Sequence, residues 1–149
     1  MPRVFPLLFV IFSFIGFLDA AYLAANHYLG VSLVCIIVHG CDTVTGSIYS
    51  KLFGIPVALL GTFYYLSIFL LTVAFFDTGK RVFFDCARMC TVAGFMFSLW
   101  FLYVQAFLLG AYCIYCLGSV ITSTLLFVIA ILSYIGKRSI QRERLEDAG

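Results

Sequence analysis

Four apolar runs, each long enough to cross a bilayer, decide what this chain can become. They cover roughly residues 4–25, 54–76, 86–109 and 111–135, and a helical span needs about 20 mostly apolar residues. Inside a bilayer every backbone N–H and C=O must find a partner within the protein, which leaves helices as the structure for runs of this length. The rest of the chain is consistent with that: 64% of the 149 residues are hydrophobic, only 11% are charged, and the mean hydropathy is +1.12. A water-soluble domain of this length does not carry such a composition. The expected fold class is therefore all-α integral membrane: a four-helix transmembrane bundle over residues 1–136 and a polar, frayed tail over 137–149. The first run is expected to remain as a span, because FLDAAYLAANHY lacks the small-residue cleavage pattern of a signal peptide.

The basic residues orient the bundle. Arg3 precedes the first run, Lys80, Arg81 and Arg88 cluster at the second connection, and Lys137, Arg138, Arg142 and Arg144 follow the last run. Of the nine Lys and Arg residues, only Lys51 falls in the first loop. The excess of Lys and Arg on one side marks that side as cytoplasmic, so both termini are expected inside, with the loop of about residues 26–53 and the Gly110–Ala111 connection outside. That short connection makes the third and fourth spans antiparallel neighbours. In the outer loop, VSLVCIIV at 31–38 is too short to span and too apolar for water. It is expected to form an interfacial or half-helical segment covering the mouth of the bundle. Gly54, Pro56, Ala58 and Gly61 make the start of the second span small enough for a backbone or a flat ligand to approach closely.

Six cysteines give the second signal: Cys35, Cys41, Cys86, Cys90, Cys113 and Cys116. The charge pattern puts four of them on the outer side, where disulfides form and persist. Cys113 and Cys116, spaced C-x-x-C, open the last span. A sulfur in the first turn of a helix lies near unpaired N–H groups and the positive end of the macrodipole, which favours the reactive thiolate. Cys116 falls on the same face, ~4.5 Å deeper along the axis. One sulfur thus faces the water side and the other the membrane interior. Cys35 and Cys41 form a C-x5-C couple on the outer loop, flanked by His39 and Asp42. Exchange between the loop pair and the helix pair would relay two electrons, and a membrane-dissolved quinone is the natural acceptor at the depth of Cys116. Two structural disulfides stapling the loop, or a zinc site of four cysteines with His39, are the other arrangements that these residues allow.

Cys86 and Cys90, four apart at the inner start of the third span, read as small buried hydrophobes on the reducing side. A transmembrane electron carrier would use them as its inner couple. Asp19 is an acid within the first span. Such a group usually faces the bundle interior, where it either assists proton release or bonds to a neighbouring helix.

The stretch GCDTVTGSIYSKLFGIPVALLGTFYY at 40–65, followed by CIYC at 113–116, resembles the vitamin K epoxide reductase family. GFLDAAYLAANHY in the first span resembles it too, and the likeness runs over about residues 14–120. It is closer to the prokaryotic branch, which oxidises thiol-disulfide partners, than to the animal enzymes. The resemblance implies a four-helix bundle around a quinone of the ubiquinone, menaquinone or vitamin K type, with no metal and no nucleic acid involved. It implies that Cys35 exchanges with a thioredoxin-fold (DsbA-like) partner, that Cys41 passes electrons to Cys113, and that Cys116 meets the quinone. Ser47 matches a hydroxyl beside the pocket, and Phe53 a residue contacting the quinone ring. The fused thioredoxin-like domain of many prokaryotic members has no counterpart here, so a separate partner is expected, at the cytoplasmic (inner) membrane of a prokaryote. Val120 stands where animal members place a tyrosine, which points away from epoxide reduction. DsbB-type quinone reductases also have four spans and two cysteine pairs, but there the C-x-x-C comes first.

Overall fold

The computed structural model describes residues 3–30 and 40–149, apart from the side chains of Cys41 and Asp42. The expected half-helix at 31–38, with Cys35 and His39, lies outside the described residues. Among the described residues five α-helices follow one another: α1 Val4–Leu29, α2 Cys41–Thr45, α3 Val57–Thr78, α4 Arg81–Tyr103 and α5 Ile114–Asp147. Four of them, α1, α3, α4 with its continuation to Leu109, and α5, are long and apolar enough to cross a membrane. They form a ring in which α1 packs on α3 and α5, and α4 packs on the same two. This is the all-α four-span bundle that the apolar runs demand, and it makes the protein a multi-pass membrane protein. With four antiparallel spans, both chain ends lie at one end of the bundle and the Cys113 turn at the other.

The interior is filled by Phe9, Ala20, Tyr65, Ile68, Phe84, Leu126 and Ile129. Large side chains such as Leu7, Phe14, Phe63, Leu70, Leu132 and Ile135 point outward. Helices that are apolar all round, with many large apolar residues outside as well as inside, are built for lipid rather than water. Two close approaches narrow the ring. The Tyr65 ring lies over Gly16 of α1 and the Tyr64 ring over Gly94 of α4, in positions that a Cβ on either glycine would occupy.

Between α2 and α3 the chain makes a 3-10 turn at Ile48–Ser50 and a hairpin, β1 Lys51–Leu52 with β2 Ile55–Pro56. Its two-residue loop holds Phe53 and Gly54 at φ 53° and 82°, the doubly left-handed geometry of a type I′ turn. At the far end of α4, Val104–Leu109 widens into a π-helical turn, and Gly110, left-handed at φ 59°, directs the chain back toward α5.

Two expectations at the other end are corrected. The third span begins at Arg81 rather than near residue 86. Its first turns are held by the Arg88–Asp85 ion pair, by Lys137 of α5 at 3.5 Å from Asp85, and by the Arg88 guanidinium over the Phe84 and Tyr134 rings. The tail over 137–149 is not frayed, since α5 continues to Asp147. Its Gln, Arg, Glu and Leu residues are good helix formers, and Arg142 and Glu146 stand one turn apart on the same face.

Candidate redox site

Cys113 is the N-cap of α5, extended at φ −106° and ψ 123°, one position earlier than the first-turn placement expected from the sequence. It is completely buried. Its backbone N–H donates to the side-chain oxygen of Gln105 at 3.1 Å, and Gln105, itself fully buried, belongs to the π-helical turn. A π-turn offsets the register of a helix and often marks a functional site. Here it turns a glutamine inward toward the start of α5.

The Cys113 thiol is lowered from the ordinary value of 9.0 to about 7. The largest cause is a hydrogen bond from the Cys116 thiol; burial opposes it, and the backbone N–H groups of Cys116 and Tyr115 add to the lowering. No capping hydrogen bond to the sulfur is formed, but these N–H groups lie close enough to favour a thiolate. The sequence reading gave the right direction and put the helix terminus first. In the structure the partner thiol contributes more. Cys113 and Cys116 are free thiols, as are Cys86 and Cys90 on α4.

The loop side of the pair is built by α2. Val44 is fully buried and packs with Leu23, Cys113 and Cys116 in one cluster. Just before it, Gly40 lies against the backbone of Tyr112, and a Cβ there would sit 2.9 Å from the Tyr112 carbonyl oxygen. The chain can come this near only without a side chain. Cys41, the next residue, therefore begins α2 beside the turn that carries Cys113. Cys35 lies outside the described residues.

Cys116 belongs to that same cluster, and of the two sulfurs it is the one at the cavity. It lines a partly open cavity of about 390 Å³ to which all four long helices contribute, within the size range of small-ligand sites. Ala20 and Leu23 of α1, Gly61 and Tyr65 of α3, Phe97 and Phe101 of α4, and Ser119 and Val120 of α5 contribute to its wall. Of the four small residues expected to open the second span, Pro56, Ala58 and Gly61 line it and Gly54, in the hairpin turn, does not. Tyr65 donates to the Ser119 carbonyl at 2.7 Å and stands 3.0 Å from its hydroxyl. His27, Thr45 and Ser50 line it as well. Such a wall, mostly apolar with a few fixed hydroxyls, suits a flat ring bearing two oxygens.

Ser47 and Phe53 are not in the cavity wall. The Ser47 hydroxyl donates to the Val44 carbonyl at 2.8 Å, so it braces α2 over Cys113. Phe53 stands 97% exposed at the hairpin tip. Cys86, exposed, and Cys90, half-buried, lie near the start of α4, at the other end of the bundle. Sequence reasoning did not single out Gln105, Tyr64, Tyr65 or Ser119. A polar side chain inside an apolar span is costly enough to have flagged each of them. Among the described residues no group of three His, Cys, Asp or Glu side chains is placed to hold a metal ion.

Comparison with the curated proteins gives no match to the chain. Comparison with family models gives one for the vitamin K epoxide reductase family over residues 7–131, which takes in Cys35, Cys41, the hairpin, the cavity wall and the C-x-x-C pair. A family match over most of the length, on a four-span bundle with a buried dithiol opening into an apolar cavity, makes this chain a membrane oxidoreductase of the thiol–quinone kind: it belongs to the vitamin K epoxide reductase family.

Proposed function

We propose that the protein is a quinone-dependent thiol oxidase of a prokaryotic inner membrane that forms disulfides on the outer side. Electrons enter at Cys35 from a separate thioredoxin-fold protein, pass through Cys41 to Cys113, and leave from Cys116 to quinone. The observation that carries this reading is the unequal access of the C-x-x-C pair to the cavity. Both sulfurs pack with Val44 of the helix that begins at Cys41, but of the two Cys116 lines the cavity and Cys113 does not.

The chemistry follows from that division. With the inner pair oxidised, the Cys41 thiolate attacks the Cys113 sulfur and frees Cys116. Cys35 then attacks Cys41, closing the loop disulfide and leaving Cys113 as a thiolate. Its lowered thiol makes Cys113 a good leaving group in that second exchange. The Cys113–Cys116 dithiol is reoxidised by the quinone, which takes two electrons and two protons. Residues of the wall bind the ring, and Tyr65 is held in that wall by its hydrogen bond to the Ser119 carbonyl.

Anaerobic quinone reduction by the purified protein tests the proposal. With a reduced thioredoxin-fold donor, quinol should accumulate at one equivalent per donor disulfide formed. No quinol with either the protein donor or dithiothreitol would refute it.

A further inference from the structure

Asp19 is an acid in the middle of α1 whose surroundings give it a task. It lies one turn from Gly16, which receives the Tyr65 ring, and one turn from Leu23, which packs with Cys113 and Cys116. Its neighbour Ala20 lines the cavity. Positions 16, 19, 20 and 23 share one helical face, so the carboxyl is carried on the face turned to the dithiol. Its Oδ2 is wholly shielded and has no hydrogen-bond partner among the described residues. A buried carboxyl oxygen is normally paired, and an acid at this depth is costly to keep.

The titratable groups that face Asp19 are Tyr65 from α3 and Cys113, Tyr115 and Cys116 from the start of α5. All of them are weak acids. No cation acts on the carboxyl among the described groups. A structural carboxylate would be expected to have a counter-charge or a full set of donors. Among the described residues Asp19 has neither, which leaves it able to exchange a proton with a nearby sulfur.

Resting on the thiol-oxidase reading above, we propose that Asp19 takes the proton of the Cys116 thiol and delivers it to the quinone. In the overall step two S–H bonds break and one S–S bond forms between Cys113 and Cys116. Two electrons pass to the quinone, and two O–H bonds form on it. The Asp19 carboxylate accepts the Cys116 proton, then donates it to one quinone oxygen, and ends as it began. The Cys113 proton goes to water, and the second quinone oxygen takes its proton from water at the part of the cavity lined by His27 and Thr45.

Asp19→Asn in the purified full chain tests this, with dithiothreitol as donor and a short-chain quinone as acceptor. Turnover at pH 7 should fall on the order of 100-fold, with the KM for quinone nearly unchanged. The residual rate should climb with pH as hydroxide replaces the missing base, and Asp19→Glu should recover much of the loss. The Cys41–Cys113 bond that accumulates in a Cys116→Ala background should form equally well when Asp19→Asn is added. Near-parental turnover of Asp19→Asn would overturn the proposal. So would equal failure of the Asn and Glu variants together with loss of that internal bond, which would mark Asp19 as structural. Absence of quinone reduction by the parent protein would instead refute the thiol-oxidase reading on which the proposal rests.

Discussion

The backbone N–H of Cys113 donates to Oε1 of Gln105, eight residues earlier in the chain, across 3.1 Å. The bond spans the π-helical turn and the Gly110 reversal, and it fixes the sulfur-bearing N-cap against the end of α4. It also satisfies an N–H at the very start of α5, where the helix itself offers no partner.

Replacing Gln105 by Leu removes that acceptor and leaves a buried N–H unpaired, at a cost of about 1–3 kcal/mol. Thermal unfolding in detergent should register the loss as a lower Tm. Turnover with a protein donor should fall several-fold, because the Cys113 end of the pair loses its anchor. Gln105→Glu keeps an acceptor and should retain more of both. An unchanged Tm and rate in the Leu variant would show that the bond holds nothing in place.

The Cys113 thiol, at about 7, gives the pair a defined pH response. The thiolate is the nucleophile, so alkylation of Cys113 by a small reagent should rise with pH and reach half its maximum near 7, not near 9. Since the Cys116 thiol is the largest cause of the lowering, Cys116→Ala should move that midpoint back up. The sign for stability follows by linkage: a thiol lowered in the folded state favours folding above its ordinary value, and that contribution is lost as pH falls through about 7. Rate profiles of Cys113 labelling in reduced protein, with Cys35, Cys41, Cys86 and Cys90 replaced, measure the midpoint directly. The same midpoint with and without Cys116 would refute the assigned cause.

Gly61 faces Ala20 across the cavity wall, and a Cβ added to it would meet the Ala20 Cβ at 3.5 Å, an ordinary contact. Gly61→Ala should therefore be tolerated. Gly61→Leu would project into the cavity where we propose quinone binds and should raise the KM for quinone on the order of tenfold, about 1.4 kcal/mol, while the Cys41–Cys113 handover continues. Steady-state kinetics at varied quinone concentration separates the two effects. Equal KM for Gly61→Leu and the parent would put quinone elsewhere.

What the sequence discloses here is periodic or chemical. Apolar length identifies the four spans because lipid accepts little else. The C-x-x-C at 113–116 points to a dithiol couple because a second pair, Cys35 and Cys41, falls on the same side of the membrane by the charge pattern. The long tail helix escaped because polar composition after a span reads as solvated chain, while its stability depends on helix propensity and on the Lys137–Asp85 contact to another helix. The π-turn at Val104–Leu109 has no pattern of its own in an apolar run, so Gln105 read as one more span residue. The cavity wall draws on helices far apart in the chain. Tyr65 and Ser119 meet only once α3 and α5 are adjacent.

In the proposed relay, the close approach of Gly40 to Tyr112 sets how near the start of α2 comes to the inner pair. A Cβ there would sit 2.9 Å from the Tyr112 carbonyl oxygen and 3.2 Å from its nitrogen, both backbone atoms that cannot swing aside. Gly40→Val should push the start of α2 away from the turn bearing Cys113 and with it Cys41. Exchange between pairs passes through a mixed disulfide, so the effect can be read on a trapped species. In Cys116→Ala, Cys113 has no resolving neighbour and a Cys41–Cys113 bond should accumulate, detectable by mass spectrometry of digested protein. Adding Gly40→Val should reduce that species several-fold. Quinone reduction from dithiothreitol, with Cys116 restored, should be affected far less, because the small donor reaches the inner pair without the loop. A Cys35–Cys113 bond as the dominant link would reverse the order of the two loop cysteines. Undiminished Cys41–Cys113 bond in the Gly40→Val protein would mean that the approach of Gly40 to Tyr112 does not govern the handover.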